Sequence, residues 1–457
     1  MSTPPSSPID INALQGFIDN ARLAGVEGAE IIVTAWDETS YSATNKTIEQ
    51  NSQRSGISVI GMVYLLDGRA GAFKTKSTTK RALAKALATA IETAESAAAS
   101  DVGKFCLADK MDINERGMGV LDPRYKYLDN ETREELAEIN TEAAERVGNI
   151  EYLKTTYRDR LTHRAYLSTN GIKAVSSSTL YNYDLTVKLL GNPTTLSSSH
   201  TGRAFAHIGT IPFGNELTQR LNRIVSRVST IDALGHDRLT RKRITVTPPL
   251  VLTPIAMSWL IEAMAPVFSA KLEESESFLS RIKDGNLGNR TLHIIDDPGL
   301  HGGVRTRAFD DRGVPPTAIA MVLEGKANAM MHTPESARLA DTAPTGHLIS
   351  RKLSPSNLLL RAGNRSRTQM LSEVPNSLEI DHFEGKLNLK TGKVKISGPA
   401  LLLSKGQKIG FVGTVTIDLE IWTLFKAIKE VASNQERHGA VDSATVLLGE
   451  IPYTLIE

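Results

Sequence analysis

Cysteine occurs once in the 457 residues, at Cys106, which excludes an intrachain disulfide and a thiolate cage for a metal. Charge of one sign is also missing. Fifty-three Lys and Arg stand against 51 Asp and Glu, a net +2, so no broad field recruits nucleic acid or an anionic membrane. No uninterrupted apolar run is long enough to span a bilayer. Residues 249–268 come nearest, but they contain Pro254, Pro266 and a central Glu262 whose insertion costs several kcal/mol, so a buried helix is expected there. The first ten residues hold Pro4, Pro5 and Pro8 without a basic or apolar segment, and no signal peptide is read. A lone thiol and no leader make cytoplasm the expected location. No period of about 20 to 50 residues recurs, which argues against a repeat array.

What is present is ordinary globular material, 40% hydrophobic and 23% charged, enough chain for two domains with sizeable cores. Helical spacing of Leu14, Phe17, Ile18 and Leu23 predicts a helix from Ile11 closing at Gly25. A β-branched run from Ala29 to Ala35 predicts a strand, and the Asp67-Gly68 turn joins Gly56–Leu66 to Arg69–Thr75 as a hairpin. Leu83, Leu87 and Ile91, with alanines at 86, 90 and 94, stripe a helix over 80–99. Asn130 is expected to cap a helix to Val147. The period then falls to two, and strands are predicted over 152–168, 172–178, 181–190 and 203–211. Another amphipathic helix follows over 215–234. Helices packed on an antiparallel sheet make 1–235 an α+β domain, and the basic stretch 238–243 marks the passage to a second domain, 236–457. That second domain reads as β-rich, barrel-like or sandwich, with helices. A strand is predicted over 244–252 with a break at Pro248-Pro249, then a helix over 255–268 and a hairpin over 385–398. After a strand over 409–417, Asp418 is expected to cap a helix running through Val431, ahead of a last strand over 444–448.

Most special backbone residues gather between His293 and Lys326, where Asp296-Asp297 and Asp310-Asp311 are each followed by glycine and proline. Such a stretch forms a structured loop flanked by strands. Four carboxylates and His301 could hold a hard cation or do acid/base work. The simpler reading is that each leading Asp caps a tight turn, since nothing in the spacing fixes ligand geometry. Paired helical histidines, a Gly-x-Ser-x-Gly elbow and a phosphate-binding P-loop are all absent. Arginines between 220 and 243 have few aromatic neighbours, so a solvated face is preferred to a nucleic-acid groove.

The loop also carries a family resemblance. Asp296-Asp297-Pro298, Arg307-Ala308-Phe309-Asp310 and Gly313-Val314-Pro315 resemble the signature of the TldD/PmbA family, in which PmbA is also called TldE. Gly28-Ala29-Glu30, Asp67-Gly68-Arg69-Ala70-Gly71, Leu121-Asp122-Pro123, Thr169-Asn170-Gly171, Thr345-Gly346, Pro355-Ser356-Asn357-Leu358 and Thr391-Gly392 follow in the family's order. Thr416-Ile417-Asp418-Leu419 departs from it by lacking the usual Gly-Asn. The resemblance implies a subunit of a cytoplasmic metallopeptidase that cleaves unfolded peptides inside a closed dimer. Its TldD kind carries His-Glu-x-x-x-His on a helix, whereas the PmbA kind does not. The matching positions read Ile261-Glu262-Ala263-Met264-Ala265-Pro266. Ile261 and Pro266 have no lone pair for a metal, and only Glu262 remains. The last third also lacks the cysteine that catalytic members place near the metal.

The resemblance therefore implies a chain with no catalytic residue and no cofactor of its own, and a zinc-like metal in the partner. That partner is a TldD-like catalytic subunit in a heterodimer, with a homodimer open to the isolated chain. The unfolded peptide substrate is expected to add as a strand, and Asp296, Asp297, Phe309, Asp310 and Gly313 to form a structural or substrate loop. No membrane contact is expected. Two other readings stay open: an independent peptidase with an unrecognised metal site, and a modulator related to DNA gyrase.

Overall fold

The computed structural model describes residues 8–45, 47–98, 107–111, 113, 117–135, 150–189, 195–203, 243–246, 248–270 and 277–456. By contact the chain forms two units. One comprises Met1–Asn222, Gly299–Thr317 and His332–Lys352, and the other Arg223–Pro298, Ala318–Met331 and Leu353–Glu457. The sequence reading placed one boundary near residue 235. The contacts instead return the chain to the first unit twice, because 299–317 bury Ala308, Phe309 and Val314 there, an association that linear composition does not record.

The first unit is built on a six-stranded antiparallel sheet in the order β3-β2-β1-β4-β5-β6. Its strands are β1 (Gly28–Thr44), β2 (Thr47–Tyr64), β3 (Ala70–Thr75), β4 (Ile150–Ser168), β5 (Lys173–Leu189) and β6 (Thr195–Gly202). Two helices cover one face: α1 (Ile11–Leu23), capped by the Asp10 carboxylate, and α2 (Lys80–Ser96), capped by Thr79. Odd-numbered residues of β1 and β4, among them Ile31, Val33, Ala165 and Leu167, turn towards those helices and bury with Phe17, Leu83 and Leu87. Even-numbered residues turn the other way, where Ile32 and Tyr166 pack with Phe309 and Val314.

Several sequence expectations shift here. β1 extends well past Ala35, through Thr44, because Thr39, Ser40, Tyr41 and Ser42 sustain strand pairing without an apolar run. The breaks expected near residues 178–180 are absent, and β5 is continuous. Asp129 rather than Asn130 caps the helical turn that follows, its Oδ1 accepting the Thr132 amide at 2.8 Å. Residues 136–149, most of the strand expected over 203–211, and the helix expected over 215–234 lie outside the described residues.

The second unit carries a thirteen-stranded mixed sheet. Strand Leu250–Leu252 runs parallel to Asn376–Ile380 and antiparallel to Val441–Leu448, so it is covered on both edges and fully apolar. The hairpin about Lys390-Thr391-Gly392 forms as expected, with Gly392 at φ +73°. The helix expected through Val431 is shorter. It spans Ile421–Lys426, and Ile428 and Val431 lie on a strand paired with Leu448 and Val446. Asp418 belongs to the preceding strand, and Glu420 takes the cap position. Among the described residues no helix is long and apolar enough to cross a membrane.

Close packing of α2 on β3 depends on Gly71, where a Cβ would lie 1.9 Å from the Ala90 carbonyl oxygen. Gly71→Ala must push helix from strand, and overpacking of this kind costs about 1–3 kcal/mol. The expected outcome is a lower urea midpoint at unchanged slope, while a midpoint equal to wild type would contradict the packing.

Candidate functional site

The even face of the first sheet places a carboxylate where an apolar side chain would be ordinary. Glu30, 3% exposed, accepts from the Tyr64 hydroxyl at 2.8 Å and the Tyr166 hydroxyl at 2.6 Å. Arg312, carried in from the returning segment, places Nε 2.7 Å from Glu30 Oε1 and donates through Nη1 to Glu335. Its guanidinium also lies 5.9 Å from the Tyr64 ring centroid. Burial works against the Arg312 charge, yet Glu30, Tyr64 and Glu335 together hold its pKa well above the usual value. Burial and the Glu30 charge push both tyrosine hydroxyls far up, so they act as donors.

Around this pair the loop is fastened at successive points. Arg164 on β4 donates to the Phe309 carbonyl at 2.9 Å and to Asp311 at 2.6 Å. Asp310 is fully buried, and its carboxylate accepts the amides of Arg312 at 2.8 Å, Val314 at 3.1 Å and Leu348 at 3.1 Å. Burial raises its pKa, with those amides acting in the opposite direction. Gly313 has φ +70°, and a Cβ there would come within 2.4 Å of the Tyr166 ring. Only glycine satisfies both conditions.

The two Asp-Asp pairs fall in different units. Asp296, fully buried at the end of strand Ile294–Asp296, accepts the Ser356 amide at 2.8 Å and the Ser356 hydroxyl. The Asp297 amide donates to the Asn357 carbonyl at 2.9 Å, and Asn357 Nδ2 returns a bond to the Asp297 carbonyl at 2.8 Å. Pro355-Ser356-Asn357 thus locks the strand end by backbone recognition. Among the described residues no group of three or more His, Cys, Asp and Glu side chains could hold a metal ion.

The helix at Ile261 belongs to the second unit. This helix, α3 (Pro254–Met264), is capped by Thr253 and passes at Ala265 into a 3-10 turn containing Pro266. Ile261 is fully buried, Pro266 is half-buried, and Glu262 is exposed.

Residues 245–454 match the model of the PmbA/TldA metallopeptidase C-terminal domain. Over these residues the chain carries the C-terminal domain of the TldD/PmbA family. Three solved structures share its fold. A candidate modulator of a DNA gyrase from Thermotoga maritima is 19% identical, with TM-score 0.81 over 97% of this chain and 99% of that one. A protein described in the same way from Bacteroides thetaiotaomicron is 17% identical, with TM-score 0.81 over 98% and 99%. TldE from Thermococcus kodakarensis is 17% identical, with TM-score 0.80 over 96% and 99%. No curated protein matches by sequence.

The family model's description implies a metal, and the residues here do not fit one. The positions that the resemblance pairs with the helical ligands hold Ile261 and Pro266, and neither side chain offers a donor atom to a cation. Sequence reasoning had passed over Arg312, Glu335, Tyr64 and Tyr166. The signal available was Glu30, a charge inside an apolar strand on the face opposite Ile31 and Val33.

Arg312→Met would leave the Glu30 carboxylate buried without its cation, and about 3–5 kcal/mol of stability should be lost. Adding Glu30→Gln should recover part of it, as read by urea unfolding. Glu335 gives a pH test. Burial would raise its pKa, but Arg312 brings it below the ordinary 4.5. The stability it contributes is therefore complete above about pH 4.5 and is lost as pH falls through the lower folded value. The gap between wild type and Glu335→Gln should be wide at neutral pH and close in acid. A gap constant with pH would exclude the ion pair as its source.

Proposed function

We propose that this chain is a non-catalytic, TldE-like subunit of a TldD/TldE-type heterodimeric metallopeptidase. It completes the proteolytic chamber around a TldD-like partner that holds the metal, and it helps bind unfolded peptide. The observation that carries this reading is α3. In a family whose model is described as a metallopeptidase, this helix is capped by Thr253, starts on a proline and is largely buried, and isoleucine on it and proline in the turn after it stand where the resemblance expects ligands. A Glu262 carboxylate facing solvent has no metal-bound water here to deprotonate. Zinc in the partner and location in the cytoplasm belong to the same proposal.

A second reading takes support from the two neighbours described as candidate modulators of DNA gyrase. It predicts that the purified chain alone changes gyrase supercoiling at near-stoichiometric ratio.

The subunit reading is tested by elemental analysis, peptidase assay and co-purification. Purified alone, the chain should hold no stoichiometric transition metal and cleave no unfolded peptide. Co-expressed with a TldD-like chain, it should elute as an active 1:1 complex. One tightly held metal per chain, lost together with activity on chelation, would overturn the reading. Glu262→Gln should leave turnover of the complex nearly unchanged. A drop of about a hundredfold, the scale of losing a general base, would return Glu262 to the chemistry.

A further inference from the structure

In the half of the first sheet remote from the returning loop, the two faces differ sharply. Tyr157, Asp159, Leu161 and Tyr181 on the odd face are buried. On the even face the side chains of Arg158 and Arg160 are 42% and 41% exposed. At its centre the Trp36 ring lies flat across Gly56, which stands opposite it on β2 and where a Cβ would come within 2.7 Å of the ring. The Arg160 guanidinium covers that ring at 4.8 Å. Glu38 stands among three guanidiniums: Arg160 at 2.6 Å, Arg158 at 4.0 Å, and Arg54 opposite it in register. Lys154 extends the cationic line along β4, and among the described residues Asp184 adds a second carboxylate to the face.

We propose that this face docks acidic stretches of extended polypeptide, making acidic unfolded peptides a preferred substrate class of the complex. The inference rests on the peptide-binding part of the subunit reading. Dimensions select a peptide over a folded domain. From Trp36 to Thr44 the face runs about 30 Å, and four strands make it about 19 Å wide, well short of the roughly 800 Å² a stable partner covers. An extended peptide of eight or nine residues matches the length. Alternate side chains along it recur about every 6.7 Å, the spacing of Arg158 and Arg160 on one strand, and the cations outnumber the carboxylates they meet. Serine and threonine hydroxyls on the same face, including Ser40 and Thr162, can bond peptide amides. Charge pattern also separates peptide from nucleic acid. A phosphate backbone places an anion at every unit and must cross Glu38 and Asp184, whereas a peptide can set neutral residues over them.

The test uses the full chain and labelled peptides of about twelve residues, Ser/Gly-based with Glu, Gln or Lys at alternate positions, read by fluorescence anisotropy. The Glu peptide should bind, and more weakly as salt rises from about 50 to 500 mM. Arg158→Glu with Arg160→Glu should weaken it about tenfold or more, and Arg158→Lys with Arg160→Lys should retain most binding. Both side chains are substantially exposed, so each variant should stay folded, with the charge reversal melting a few degrees lower because a carboxylate then stands opposite Glu38, and the lysine variant melting close to wild type. Equal binding of the Gln or Lys peptide, an unaffected charge-reversal variant, or displacement of the Glu peptide by far tighter single-stranded DNA would each overturn the proposal. Assembly with the TldD-like chain is measured in the same samples. If assembly and turnover of uncharged peptides persist while Glu-peptide selectivity is absent, this inference alone falls. If wild type does not assemble, the subunit reading falls whatever the peptides do, and acidic binding then carries no substrate class.

Discussion

The first unit depends on one buried carboxylate. Glu30 sits on a strand whose neighbours are apolar, and removing its charge from water would cost several kcal/mol without compensation. Two tyrosine hydroxyls and the Arg312 guanidinium supply that compensation from β2, β4 and a segment nearly three hundred residues further along the chain. An apolar cluster of the same volume could be equally stable. It would not discriminate between ways of laying 299–317 on the sheet, whereas the ion pair and its two phenol donors are all satisfied in one placement. Charge here specifies position more than it adds stability.

That constraint organises the rest of the loop. With Arg312 held, Asp310 can collect three amides, and Gly313 can take its left-handed conformation against the Tyr166 ring. Arg164 holds Asp311 and the Phe309 carbonyl from the next position on the same face of β4. Tyr166 therefore serves twice, as donor to Glu30 and as the surface that excludes a Cβ from residue 313. Glu335 closes the arrangement from a second return of the chain, so both excursions into the unit converge on one guanidinium.

Periodicity made the local architecture legible: α1, α2, the Asp67-Gly68 hairpin and the hairpin over 385–398 follow from spacing and turn residues. It failed where the deciding force is non-local. Ile421, Leu424, Phe425, Ile428 and Val431 have helical spacing, yet the last two pair with Val441–Leu448, because burial between strands outweighs propensity over so short a segment. The reach of β1 past Ala35 was hidden since its later residues are polar and draw stability from long partners on both sides. In the loop, the capping role of aspartate was readable from residue type. The partners of Arg312 were not, because a one-dimensional pattern cannot report which face of a distant strand lies opposite.

At α3 the residues that set the fold can be separated from those that would set chemistry. Thr253 at the cap, Pro254 at N1 and a nearly continuous apolar surface fix this helix for packing reasons alone, with no ligand needed to hold it. Ile261 adds to that packing, and Pro266 falls where the α-helix has already passed into a 3-10 turn. Donor-free side chains at these two positions therefore fit the packing of the helix and of the turn that follows it. The fold meanwhile is shared over almost the whole length of its structural relatives. A shared fold therefore does not settle the chemistry, which has to be read residue by residue.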